Sequence, residues 1–153
     1  MTLHAASVPV FLHYLPRITA LAETGDLTAT LADGFSAGQN LLTAVNFSLR
    51  ACCPLAGVDT PALQGGLPAQ VACATLILQA LDPKDFDPTR IIQHRAGFAD
   101  LQQSAHDYLH LFALPNFFFH LTMAYAALRA NGADIGKADF DGLHIYPHGY
   151  RFP

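Results

Sequence analysis

The stretch from Tyr108 to Leu128, YLHLFALPNFFFHLTMAYAAL, holds no Asp, Glu, Lys or Arg, yet two histidines, an asparagine and a proline interrupt its aromatic and aliphatic residues. A run this apolar has to be covered by protein or lipid. Its few polar groups then need partners, because an unpaired buried amide or imidazole costs about 1 to 3 kcal/mol. The run is long enough to span a bilayer. Against that reading, His110, Pro115, Asn116 and His120 would sit deep in lipid, and no positive cluster flanks either end. The expectation is a central buried helix and no membrane span.

The rest of the chain narrows the setting. A length of 153 residues suits one domain with a full core, 1–153, with residues 143–153 as an aromatic C-terminal tail. Hydrophobic residues make up 52% and charged residues 13%. The charged share is well below the roughly 25% of an average soluble domain, so more apolar surface is expected than one monomer hides, and a homodimer is its natural outlet. The net charge of -4 and the scattered Lys and Arg leave no electrostatic footprint for nucleic acid. Cys52, Cys53 and Cys73 lack metal spacing and no basic n-region opens the chain, so a reducing, cytoplasmic setting is expected, with the cysteines as small buried hydrophobes.

Helical periodicity is clear in three places, and cap and stop signals mark a fourth helix. Val8, Phe11, Leu12, Leu15, Ile18, Thr19 and Ala22 trace one stripe, with Ser7 and Pro9 read as its start, Gly25 as its stop and Pro16 as a kink or early break. Phe35, Leu41, Leu42, Val45, Leu49 and Cys52 trace a second, weakened at its first turns by Gly38 and closed by Pro54 and Gly57. Leu67, Val71, Ala74, Leu78 and Leu81 trace a third, ending before DPKDFDP. Ile91 and Ile92, followed by an Ala96-Gly97 turn signal, read as a short hairpin. Ser104 and Asp107 form a variant capping signature that starts the fourth helix near Ala105, and Asn131-Gly132 stops it. The fold class read from these elements is all-α, a four-helix bundle with a long third connection. Asp134, Lys137, Asp139 and Asp141 read as solvated charges of a turn-rich cap, and the tail as packing on the bundle or a partner.

Residues LFALPNFFFHLTMAYAALRANGADIGKADFDG closely follow the pattern FALPNFYFH, AYxILR, NGxxIGKxDFLG. The chain therefore resembles a bacterial family of domains of unknown function within the DinB and YfiT-like four-helix bundles. ASVPVFLHYL and LAGVDTP also resemble that family's segments. The resemblance implies a DinB-like bundle, and a superfamily that includes metal-dependent transferases and isomerases working with thiol cofactors. Such members hold a divalent metal, Zn or Ni being the candidates here, with one histidine on helix two and a His-x-x-x-His pair on helix four. Counted back from LRANG, that pair falls on Asn116 and His120, and helix two offers only Gln39 or Asn46 nearby. A set of His120, Asn116 and Gln39 is a poor site for borderline metals, since neutral amide oxygens are weak ligands for them.

His106 and His110 form a second pair at i, i+4. About 15 Å of helix separates His110 from His120, too far for one ion, and His4 or His13 on helix one are the remaining candidates to complete either pair. Each feature has a plain alternative. His120 is either a buried imidazole bonded to Asn116, Gln39 or a backbone carbonyl, or a metal or ligand contact. His106 and His110 are either an exposed first turn and a half or a ligand pair. Phe117, Phe118 and Phe119, with Tyr125, are either core and dimer interface or the wall of a ligand cavity. Asn116 is also placed to bond the carbonyl that Pro115 leaves free.

No nucleophile elbow, phosphate loop or C-x-x-C is present. The function expected is a small-molecule-binding or structural module with a degenerate metal site. The alternatives are a metal-dependent transferase acting on a thiol-containing small molecule and a stress-associated protein-interaction module.

Overall fold

Four long helices and one hairpin make up the computed structural model, which describes residues 1–147 and 150. Helix α1 spans Leu3–Thr24, α2 Ala37–Ala56, α3 Leu67–Ala80 and α4 Ala105–Ala130. Strands β1 (Ile91–Ala96) and β2 (Ala99–Ser104) lie between α3 and α4, and a short α5 (Lys137–Asp141) follows. The architecture is thus a helical bundle with a small two-stranded antiparallel sheet, which corrects the all-α class while meeting the expectation of a hairpin.

Helix α1 begins earlier than its Ser7-Pro9 signal. Thr2 is the cap, its hydroxyl accepting from the Ala5 N–H at 3.2 Å, and the Ser7 hydroxyl instead bonds back to the Leu3 carbonyl at 2.7 Å. Pro9 and Pro16 both lie inside one continuous helix, so no break occurs at Pro16. A proline removes one backbone bond; Phe11, Leu15, Ile18 and Leu21, all fully buried, anchor the same face on either side of it.

Helix α2 starts with a reciprocal capping box. The Gln39 N–H donates to the Ser36 hydroxyl and the Ser36 N–H donates to Gln39 Oε1 at 2.9 Å. Gly38 has a positive role in this first turn. Its N–H donates to the Leu27 carbonyl at 2.9 Å, and a Cβ there would lie 3.2 Å from the Leu27 carbonyl oxygen and 3.3 Å from the Leu27 Cβ. At the other end Pro54 does not close the helix, which continues to Ala56 and stops at Gly57 in the left-handed conformation. Pro54 has no N–H to give the Arg50 carbonyl four residues back. The Tyr108 hydroxyl of α4 donates to that carbonyl instead, at 2.5 Å. Burial, more than any neighbouring charge, pushes the Tyr108 phenol up to about 12, so it stays a donor.

The hairpin closes on a two-residue turn, Gly97-Phe98, between the Ala96 and Ala99 pair, with Gly97 at φ 60°. Ile92 anchors it in the core. His94 rests against Phe112 and Tyr108, at ring separations of 4.2 and 4.8 Å. Helix α4 then starts as its capping signature requires, the Ser104 hydroxyl accepting from the Asp107 N–H at 3.1 Å. Tyr108–Ala113 is wound as a π-helix, with Leu114 donating to the Leu109 carbonyl five residues back, and Pro115 follows directly. By length and composition α4 is apolar enough to cross a membrane. In the bundle, Leu109, Ala113, Phe117, Leu121, Ala124 and Leu128 form its buried stripe, and Phe117 meets Phe11 edge-on at 4.9 Å.

Two readings of individual residues change. Cys52 and Cys53 are buried, with burial raising both thiols, Cys53 to about 11, whereas Cys73 is exposed. Asp141 is not a solvated charge but a buried one. Its carboxylate accepts from the N–H groups of Leu143 and His144 and from the His144 imidazole, and its carbonyl accepts from His13 Nε2 at 2.6 Å. The Leu143 N–H, seconded by His144, holds that carboxyl below the usual range against an opposing push from burial. This knot ties the start of the tail to α1. The expectation for the tail otherwise falls partly on residues 148, 149 and 151–153, outside the described residues.

Candidate functional site

The candidate site lies where α2 faces α4, and its centre is one hydrogen bond. Asn40 is buried on α2, and its amide nitrogen donates to the carbonyls of Phe35 and Ser36 at 3.0 and 3.1 Å. Both amide protons are therefore used within the first turn of α2, which leaves Oδ1 as an acceptor directed outward from that turn. His120 Nδ1 on α4 meets it at 2.9 Å. Because Oδ1 accepts, Nδ1 carries the proton and Nε2 keeps its lone pair. Burial lowers the His120 pKa from its ordinary 6.5, which favours the neutral ring at pH 7. Nε2 has no hydrogen-bond partner among the described residues.

Aromatic rings set the orientation. Phe35 and Phe47 are stacked on His120 with centroids 6.2 and 5.7 Å away and interplanar angles of 19° and 22°, and Phe119 meets its edge at 5.2 Å. Arg50 lies over the Phe47 ring at 4.6 Å. From Phe47 the aromatic line continues through Phe112 to His94, whose Nε2 donates to Gln103 Oε1 at 2.7 Å. His120 is therefore held on one side by an amide and flanked by rings. That arrangement can present one neutral imidazole nitrogen as a hydrogen-bond acceptor or proton acceptor.

The other expected residues do not join it. Gln39 spends its side-chain oxygen on the Ser36 N–H, and Asn46 donates to the Leu42 carbonyl. Asn116 donates to the Phe112 carbonyl at 2.7 Å, four residues before itself, rather than to Leu111, the usual partner of a residue at Pro115. His106 and His110 are exposed, stacked in parallel at 6.2 Å, with His110 Nδ1 donating to the His106 carbonyl. His4 meets Phe86 edge-on, and His13 is committed to Asp141, so helix one completes neither pair. Among the described residues no three of His, Cys, Asp or Glu are placed to share a metal ion. Together with two amides already engaged in helix bonds, this donor set does not fit the divalent-metal triad that the DinB-like resemblance implies.

The phenylalanine triplet divides three ways. Phe117 is in the core, Phe118 packs edge-on against Tyr14 at 5.0 Å, and Phe119 is exposed beside His120. Tyr125 lies elsewhere, in the wall of a shallow cavity with Thr122, Lys137 and Phe140. Asn40, Phe35 and Phe47 are not among the site residues expected from the sequence. A signal for Asn40 exists: it shares the face of Leu41, Ala44 and Ser48 at helical spacing, a polar residue on an apolar stripe.

Residues 3–141 match the family described as Domain of unknown function (DUF1993). The chain belongs to that family. No curated protein matches it. Among solved structures it is similar to the crystal structure of a DinB family member protein from Shewanella denitrificans, with a TM-score of 0.76 and 23% identity over 99% of this chain and 96% of that one. At that identity the likeness speaks for the fold alone, a helical bundle shared with the DinB family member.

Proposed function

We propose that this DUF1993 chain is a small-molecule-binding or structural module, a DinB-like four-helix bundle in which the metal site has been replaced by a hydrogen-bonded His120-Asn40 pair. The observation that carries this reading is the closed set of bonds around Asn40. Its two protons and its oxygen are all engaged, and the oxygen faces the one histidine of α4 that remains at the expected metal position. What stays available is His120 Nε2, a neutral acceptor among aromatic rings, suited to recognising a donor on a small ligand. Metal analysis of protein purified without an affinity tag, after incubation with Zn and with Ni, tests it. Substoichiometric metal, the same in wild type and His120→Ala, is expected. Stoichiometric metal that disappears in His120→Ala would overturn it.

The same reading includes a cytoplasmic homodimer formed on the outer face of α4. Leu111, Pro115 and Phe119 recur there at i, i+4, i+8, all exposed, with Leu111 at 69% and Phe119 at 58%. Light scattering after size exclusion should give a dimer mass for wild type and a monomer for Phe119→Asp at micromolar concentration. A monomeric wild type removes the dimer from this proposal.

A further inference from the structure

The cavity between α4 and α5 is a second place where chemistry is left over. Its volume is about 350 Å³, and Thr122, Tyr125, Lys137 and Phe140 line it. Phe140 meets Tyr125 at 5.6 Å and Tyr14 at 6.0 Å, and Tyr14 meets Phe118, so the aromatic packing continues inward from the wall. Lys137 has no ion-pair partner among the described residues. The acids around it are otherwise engaged. Asp139 accepts from the Gly136 N–H at 2.7 Å, Asp141 is held by Leu143 and His144, and Asp134 stands in the field of Arg129. Tyr125 is oriented as well: its oxygen accepts from Arg129 Nη1 at 3.0 Å, which leaves its own proton free to donate.

We infer that this cavity binds a small organic carboxylate with a flat apolar body. The body lies against Phe140 and Tyr125, and the carboxylate takes the Lys137 ammonium and the Thr122 or Tyr125 hydroxyl. An apolar wall with one unpaired cation and one or two hydroxyl donors is complementary to that class of ligand, whereas a cationic or wholly polar molecule would leave either the charge or the wall unmatched. The site is separate from His120 and does not depend on the reading given above.

Benzoate is the probe, with benzamide as its uncharged counterpart and acetate as the anion without a ring, each titrated by calorimetry and by amide shifts in NMR spectra. Benzoate is expected to saturate with a dissociation constant on the order of 1 mM, shifting amides at Thr122, Tyr125, Lys137 and Phe140. Benzamide should bind at least about tenfold more weakly, since a hydrogen bond to a charged group is worth about that factor, and acetate likewise, since it lacks the ring that covers the apolar wall. Lys137→Gln should weaken benzoate by about tenfold and leave benzamide unchanged. Thr122→Phe, at an exposed helix position that tolerates the substitution, should block both ring-bearing probes by filling the cavity. Lys84→Gln, at an exposed lysine in the short helical turn after α3, should bind benzoate as wild type does. Equal affinity for benzoate and benzamide, failure of benzoate to saturate, or an unchanged affinity in Lys137→Gln would overturn the inference.

Discussion

Phe117→Ala should destabilise the bundle by about 3 to 5 kcal/mol, while Phe119→Ala, two residues along the same helix, should change the folding stability of the monomer by no more than about 0.5 kcal/mol. Phe117 is fully buried and touches Phe11, Tyr14 and Phe118. Removing its ring leaves a cavity between α1 and α4 among rings that are themselves packed. Phe119 is 58% exposed and meets only the edge of His120 among the ring contacts. Chemical denaturation of the two variants measures the contrast. Total stability of a domain this size is only about 5 to 15 kcal/mol, so, at concentrations where the chain is monomeric, the first variant is expected to be partly unfolded at 37 °C and the second to match wild type. Comparable losses in the two would mean that the buried stripe of α4 does not face the core.

The second large effect concerns the bond that joins α4 to the proline in α2. Tyr108→Phe should cost about 1 to 3 kcal/mol, because it leaves the part-buried Arg50 carbonyl without a donor. In a Pro54→Ala background the same substitution should cost markedly less, since an alanine at that position restores an N–H four residues after Arg50 and satisfies the carbonyl within α2. The coupling, read from a double-mutant cycle by urea denaturation, is expected to be about 1 kcal/mol or more. Strict additivity would show that the hydroxyl of Tyr108 does not stand in for the missing backbone donor.

Much of this fold is legible in the sequence because local rules and packing agree. Ser104 and Asp107 announce the start of α4, Ala96-Gly97 announces the hairpin turn, and Leu41, Val45, Leu49 and Cys52 of α2 and Leu67, Val71, Ala74 and Leu78 of α3 reappear as buried faces, whereas Phe35 precedes α2 and is 55% exposed. Disagreements arise where a local signal is answered from far away. Pro54 reads as a stop, but its lost bond is made good by a tyrosine fifty-eight positions from Arg50. Pro16 reads as a break, but full burial of residues on both sides holds α1 in one piece. Gly38 reads as a weakness and is a close approach of backbone to Leu27. The α2-α4 site is half legible for the same reason. His120 stands out as a polar residue in an apolar run, whereas its partner Asn40 lies eighty positions away, and neither spacing nor motif links the two. Gln39, one position earlier, is the nearer reading from sequence, and the capping box claims it.

The central claim is that His120 is a neutral imidazole bonded through Nδ1 to Asn40, where a metal ligand would otherwise stand. Two-dimensional long-range nitrogen-proton NMR of the His120 ring tests this most directly, recorded across pH 5 to 8 and again with Zn or Ni added at one equivalent. At pH 7 the ring is expected as the Nδ1–H tautomer with unprotonated Nε2, with protonation only below the ordinary value of 6.5 because burial disfavours the charged ring, and with an Nε2 resonance that does not move when metal is added. The Nε2–H tautomer in the free protein, or a shift of the Nε2 resonance on adding one equivalent of metal, as coordination through its lone pair would give, would contradict it.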